Sequence, residues 1–505
     1  MIIEVLIGAA QQRRWHETLV RRLRELPDCE IRIRLTSEPR SIALRRLQRL
    51  LWLERTLHHL DAGGLRGGTL QPSAGARARA PEHAPDVVLD FSAHPSTGNW
   101  SVRYDSVPGE EAAVDALRAG RFPVVSVVDG SGVERATGRP GSDMPGLIST
   151  ALADLSAGVV TLVAGAITGH RFAAPDSGTA VVATGADEVG TSGSEPTPRS
   201  YTELCARRIV GAAIRLAYGI GFRAPHWRVG WRTASDTDAL ETGNLAGAPW
   251  TDVADDGYRF YADPFPFEHR GHTYLFVEDL DHRTGKGVIS VAPWSARGQT
   301  GPFAAVLEHE VHLSYPFVLE HAGEVWMIPE TSGAGHIELY RAREFPGSWE
   351  FHSVLVDGVV ASDATPFQHE GRWWLTATVQ LDGSYSDTLY LWSAPDLLGP
   401  WSEHRGNPVL VDIASARPAG RVELRDGRLL RPVQDGRGGY GAAMSVAEIT
   451  RLDDEAFEQV IVARYTAGSA WPGSRVHTLN SAGTIEVIDG SRLMPRWRGP
   501  WQRGR

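Results

Sequence analysis

Phe260-Tyr261-Ala262-Asp263-Pro264-Phe265-Pro266-Phe267-Glu268-His269-Arg270-Gly271-His272-Thr273-Tyr274-Leu275-Phe276-Val277-Glu278 reads as strand, turn, strand. Apolar residues alternate with others from Tyr261 to Phe267. His269-Arg270-Gly271-His272 supplies the turn, and β-branched and aromatic residues resume from Thr273. A carboxylate stands at each end, Asp263 on the way in and Glu278 on the way out.

The pattern recurs. Copies follow at Ser314-Tyr315-Pro316-Phe317, at Asp363-Ala364-Thr365-Pro366-Phe367, at Ala419 to Leu430 and, more weakly, at Val476 to Ile488. The turn glycines Gly271, Gly323, Gly371, Gly427 and Gly483 stand 52, 48, 56 and 56 residues apart. A hairpin repeat near 50 residues is the mark of a propeller with about four strands per blade. Five copies predict five blades.

Equivalent positions can then be compared. Eight residues before the glycine stand Asp263, Tyr315, Asp363 and Ala419, and seven after it stand Glu278, Glu330, Thr378 and Gln434. Innermost strands line a propeller's axis, so one end collects one residue from each blade. Converging carboxylates there suit glycoside chemistry, in which one acid protonates the leaving oxygen and another activates water or attacks. The alternative is that Asp263 and Asp363 cap turns by accepting backbone N–H groups.

The whole chain sets outer bounds. At 505 residues it exceeds one ordinary domain. A net charge of −10 argues against nonspecific nucleic-acid binding. The start, Met1 to Gly8, lacks a basic segment and a cleavage site, and no run approaches the ~20 apolar residues a membrane helix needs. The expectation is a cytoplasmic protein with no membrane span. Cys29 and Cys205 are far apart, indicating neither disulfides nor a thiolate site. No histidine pair has zinc spacing, so no metal is expected. Of the 16 tryptophans, most are read as packing between strands, with Trp326, Trp373 and Trp374 as the candidates for a sugar platform.

Residues 1–222 read as an α/β open-sheet domain. Ile2 to Ile7 and Glu30 to Leu35 are strands flanking a helix from Arg13 to Leu26, Ser41 to Leu60 is a basic amphipathic helix, and Asp86 to Ser92 is a buried strand. Residues 62–84 read as a loose loop. Leu147 to Ala164 fits helix and strand equally. Residues 174–199, rich in Gly, Ser, Thr and Pro, read as a flexible insertion, and Tyr201 to Tyr218 as a helix. The first βα turn lacks Gly-x-Gly-x-x-Gly and there is no Walker loop, so no nucleotide cofactor is expected. The order of elements resembles the methionyl-tRNA formyltransferase-like domain. That family works through an Asn, a His and an Asp. Asn99 and His94 fall near the expected place but not in its Asn-x-x-x-x-His order, which implies a degenerate domain.

Residues 223–505 are the propeller. Its segment 225–490 resembles the N-terminal propeller of glucosamine inositolphosphorylceramide transferase. More distantly it is similar to the five-bladed arabinanase, levansucrase and invertase glycosidases. Tyr261 to Phe265, Ser314 to Phe317, Met327 to Ser332, Asn407-Pro408-Val409, Ala416 to Arg421, Arg431 to Asp435, Tyr440-Gly441 and His477-Thr478-x-Asn480 carry the likeness. The glycosidase likeness implies an Asp base or nucleophile at Asp263, with Glu330 and Asp363 filling the other roles. Tyr315 replaces the second Asp. In the plant members the glycosyl transfer belongs to a separate domain.

Arg417, Arg421, Arg431 and Gln434 form a polar cluster that suits an anionic sugar or phosphate, or else neutralises buried acids. The expectation is therefore a carbohydrate-active enzyme with Asp263, Glu330 and Asp363 catalytic. Tyr315, Arg417, Arg421, Arg431, Gln434 and Glu278 would hold a carbohydrate or sugar-phosphate substrate. A non-catalytic glycan-binding propeller and a formyl or acyl transferase are the alternatives.

Overall fold

The computed structural model describes the chain except residues 10, 38–41, 61–69, 73–82, 177–196, 235–237, 484 and 497–505. Most of the 62–84 loop and of the 174–199 insertion lies outside the described residues.

The first unit runs β1 (Ile2–Gly8), α1 (Arg14–Arg24), β2 (Glu30–Thr36), α2 (Ile42–His58), β3 (Val87–Asp90), β4 (Trp100–Tyr104), β5 (Val107–Pro108), α3 (Glu110–Arg118), β6 (Val125–Val128), β7 (Glu134–Gly138), α4 (Ile148–Thr168) and α5 (Tyr201–Gly221). The sheet order is β2-β1-β3-β4-β6-β7, with β5 against β4. The first four strands in that order are parallel, and β6 and β7 join antiparallel. The stretch that fitted helix and strand equally is α4. Leu152, Leu155, Val159 and Leu162 place it in the core beneath the sheet.

This helix is long and apolar enough to cross a membrane, contrary to the expectation that no run is. Its Gly, Ser and Thr residues disguise that length in the sequence, and in this structure 67% of the apolar window is buried in the core. Its first turn leaves N–H groups without intrahelical partners. The buried carboxylate of Glu54 on α2 takes two of them, from Ile148 at 3.2 Å and Ser149 at 2.7 Å, and pairs with Arg208 on α5 at 2.5 Å.

Five antiparallel sheets follow. Their inner hairpins are Arg259–His269 with His272–Asp281, Ser314–His321 with Glu324–Glu330, Ala361–His369 with Arg372–Val379, Glu423–Arg425 with Arg428–Asp435, and Leu479–Ala482 with Ile485–Ser491. The fifth sheet takes its next strand, Trp227–Thr233, from the start of the propeller, which closes the ring. In the first four hairpins two loop residues both take positive φ: Arg270-Gly271, Ala322-Gly323, Glu370-Gly371 and Asp426-Gly427. That is the type I′ turn, whose twist matches the strands it joins. Trp326, Trp373 and Trp374 are buried in the hydrophobic core. They are core side chains here, not a sugar platform.

The two units share a core. Val411 and Ile413 pack among the apolar residues of the first unit. The stretch after β7 runs beside them, with Arg139 N–H on Val411 O at 2.7 Å and Ile413 N–H on Arg139 O at 2.9 Å. Gly141 is required there, since a Cβ would lie 2.4 Å from Ile413.

Candidate functional site: carboxylates on a repeated bulge

The first three blades carry the same β-bulge. Ala262 pairs with Glu278 and Phe265 with Phe276, so three steps on the inner strand oppose two on its neighbour. Ser314/Glu330 with Phe317/Ile328, and Ser362/Thr378 with Thr365/Thr376, repeat this. The extra residue takes positive φ each time: Asp263 at 47°, Tyr315 at 44° and Asp363 at 57°. Such a backbone is costly for a residue with a Cβ and concentrates at functional sites.

The bulge frees each N–H to reach a carboxylate on the preceding blade. Asp263 donates to Asp489 at 3.0 Å, Tyr315 to Asp263 at 3.3 Å, and Asp363 to Glu330 at 3.2 Å. The fourth blade contributes Arg417 and Gln434, and the fifth His477 and Thr478. Thr478 Oγ1 donates to Asp263 Oδ1 at 2.8 Å. Arg417 Nε donates to Asp363 Oδ2 at 2.6 Å, and its Nη2 lies 3.5 Å from Glu330. Gln434 Nε2 donates to Asp363 Oδ2 at 2.9 Å. Neither aspartate caps its own turn.

Burial pushes Asp263 up to about 7, with His477 opposing and Asp489, Glu278 and Asp363 adding to the rise. Burial likewise pushes Asp363 up to about 7 against the pull of Arg417. For His477 burial works to lower the value, but Asp489 at 2.7 Å outweighs it and carries the imidazole to about 9. Burial lowers and Glu278 raises His312, with a net rise; the two lie 3.2 Å apart. Asp263, Asp363 and Glu278 all act on the Tyr440 hydroxyl, which burial raises most.

Asp263, His477 and Asp489 place one ligand atom each within 4.8 Å of one another. The donor set could hold a cation. However, a histidine held protonated at neutral pH offers Nδ1–H to Asp489 instead of a lone pair, and the trio reads as a buried ion pair.

The structure thus brings Asp263, Glu278, Tyr315, Glu330, Asp363, Arg417 and Gln434 together. It does not bring Arg421 or Arg431 to these acids. Arg421 donates to Val318 O and stacks its guanidinium over Phe317 at 4.6 Å. Arg431 is fully buried and donates to Ser415 O at 2.9 Å, Gln459 Oε1 at 3.1 Å and Ala416 O. Both are cations that satisfy backbone carbonyls, and burial lowers them to about 10 and about 9. In the first unit, Asn99 Nδ2 donates to Asp90 Oδ2 at 3.0 Å, so it holds the loop, while His94 is exposed.

Sequence reasoning assigned no role to His477, Asp489, Tyr440, Trp227 or Asp143. Trp227 stacks on His477 at 4.0 Å, and Tyr440 lies 5.0 Å under the Arg417 guanidinium. Asp143, from the first unit, accepts from Ser384 Oγ at 3.0 Å and Ser386 Oγ at 2.5 Å. Ser386 Oγ in turn accepts from Arg417 at 3.2 Å. The motifs Tyr440-Gly441 and His477-Thr478-x-Asn480 were the available signals. The others lie far away in sequence.

A ring of five blades with aspartates on the matching bulges of the first and third defines the class: a five-bladed β-propeller with a cluster of carboxylates where its inner strands meet. Residues 245–491 match the family model described as glucosamine inositolphosphorylceramide transferase 1, N-terminal. Glucosamine inositolphosphorylceramide transferase 1 of Oryza sativa subsp. japonica is 34% identical over 249 residues, covering 46% of this chain and 33% of that protein. Its namesake in Arabidopsis thaliana is 34% identical over 249 residues, covering 46% and 32%. The chain therefore spans about a third of the length of these curated relatives. Among solved structures, Zg3597, a family 117 glycoside hydrolase of Zobellia galactanivorans, overlaps at a TM-score of 0.34 and 13% identity, covering 55% of this chain and 96% of that one. The α-L-arabinanase of Cellvibrio cellulosa overlaps at 0.32 and 14%, covering 41% and 80%.

Proposed function

We propose that the propeller is a carbohydrate-active enzyme, hydrolytic or sugar-transferring, working through Asp263, Glu330 and Asp363. One observation carries this reading: two aspartates on equivalent strained bulges are both pushed by burial to about 7. A carboxyl that exchanges its proton near neutrality is what general acid–base catalysis of glycoside chemistry needs. The names of the plant relatives support a sugar substrate. The test is turnover of a glycan and glycolipid panel by the full chain. Product from the wild type and none from folded Asp263→Asn supports the reading, and equal product from both overturns it.

A second reading is a glycan-binding propeller without turnover. It is favoured by the 2.6 Å ion pair that occupies Asp363 with Arg417. Saturable binding on the same panel without product selects it.

A further inference from the structure

A cleft of about 790 Å³ lies beside the carboxylates, between the end of α5, the entry to the propeller at Ala224–Arg228 and the loops at 472–475 and 491–493. Trp227 and Tyr440 line it, and these same two side chains touch His477 and Arg417 of the carboxylate site. Asp143 lines it too.

Three arginines face this space, and they differ in how they are compensated. Arg228 pairs with Asp252 at 2.5 Å. Arg492 pairs with Asp255 and stands 3.8 Å from Asp252. Arg475 forms no ion pair among the described residues. One Nη donates to the carbonyl of Tyr440, which fixes the guanidinium against the wall the cleft shares with the carboxylates. Its Nε and other Nη have no acceptor among the described residues. Burial lowers its pKa with no acid working against the shift. A half-buried guanidinium with two free donors is built to take an oxyanion in bidentate fashion.

We propose that this cleft is a subsite for an anionic group, a phosphate or carboxylate carried by the sugar substrate, and that Arg475 holds it. The proposal rests on the carbohydrate reading of the propeller and extends it. The cationic cluster read from the sequence is thereby relocated. Arg421 and Arg431 serve the interior, Arg417 serves Asp363 and Glu330, and Arg475 is the guanidinium left for a ligand.

The test is calorimetric titration of the full chain with glucose, glucose 1-phosphate, glucuronate and inorganic phosphate at low and high salt. Expected are tenfold or tighter binding of at least one anionic sugar over glucose, weakening with salt, and loss of that ratio in Arg475→Gln with partial recovery in Arg475→Lys. Thermal midpoints of both variants check the fold. Equal affinity for neutral and anionic sugars, no binding of any anion at millimolar concentration, or an unchanged ratio in folded Arg475→Gln overturns it. Asp263→Asn separates the two readings. Anionic sugar that binds this variant and the wild type alike, with no glycan turned over by either, removes the enzyme reading and leaves the subsite standing.

Discussion

The backbone N–H of Tyr315 donates to the carboxylate of Asp263 at 3.3 Å. The blade that lacks an acid at its bulge thus binds the acid of the blade before it. Thr478 binds the other oxygen at 2.8 Å. In Asp263→Asn the amide oxygen keeps the Tyr315 N–H, and the Thr478 hydroxyl can turn to accept from the new NH2, so the variant is expected to fold. Activity on whichever glycan the panel identifies should fall roughly 10²–10⁴-fold, the usual worth of one proton-transfer group. Circular dichroism and steady-state rates measured together check this.

The hydroxyl of Tyr315 contacts Thr365 at 2.9 Å and donates to Gly420 O at 3.2 Å, linking three blades. Tyr315→Phe strips the donor from that carbonyl. Such a loss costs about 1–3 kcal/mol. Urea denaturation should show it as a lower midpoint with an unchanged slope.

Arg417 is the counter-charge for buried Asp363 and partly buried Glu330. Arg417→Met leaves Asp363 and Glu330 without it, and breaking a buried pair from one side costs about 3–5 kcal/mol. Adding Asp363→Asn removes one of the stranded charges, so the double variant should be more stable than Arg417→Met alone. If the losses simply add, the ion pair is not what stabilises this end of the ring.

His477 and Asp387 both lower stability as pH rises, across different windows. His477 is raised from 6.5 to about 9, so its contribution is complete below pH 6.5 and disappears as pH rises through 9. Thermal midpoints from pH 6 to 10 should fall across that window in the wild type and flatten in His477→Gln.

Asp387 is pushed by burial to about 8, while its Oδ2 accepts Gly141 N–H from the first unit at 3.0 Å. As pH rises from its unfolded value towards 8, the folded state holds a proton that the unfolded state has lost, which lowers stability. Asp387→Asn removes the titration. It should melt higher than the wild type at pH 8–9 and no higher at pH 4.

The blades were legible because a two-residue turn with positive φ demands glycine at a fixed place, and Gly271, Gly323, Gly371 and Gly427 report it. The same alignment put Asp263, Tyr315 and Asp363 at one position and Glu278 and Glu330 at another. The register then explains why: Ala262 faces Glu278 and Ser314 faces Glu330 across the bulge. The bulge itself left no mark, since neither Asp-Pro nor Tyr-Pro announces a positive φ. The arginines misled for a related reason. Arg417 and Arg431 are 14 residues apart in sequence, yet one meets carboxylates and the other meets carbonyls, and composition does not distinguish those fates. Asp143 was beyond reach because its partners lie more than 240 residues away.

The closure of the ring has a consequence for biosynthesis. Arg232, on the strand that completes the fifth blade, has its buried partner Glu486 254 residues further along the chain. At ribosomal rates of about 5–20 residues per second, that strand waits on the order of 10–50 s for its neighbour. Until then Trp227, Val229 and Trp231 lack their cover, and an open strand edge is a template for wrong pairing. The nascent chain therefore carries an open pairing edge until the strand Ile485–Ser491 has been made.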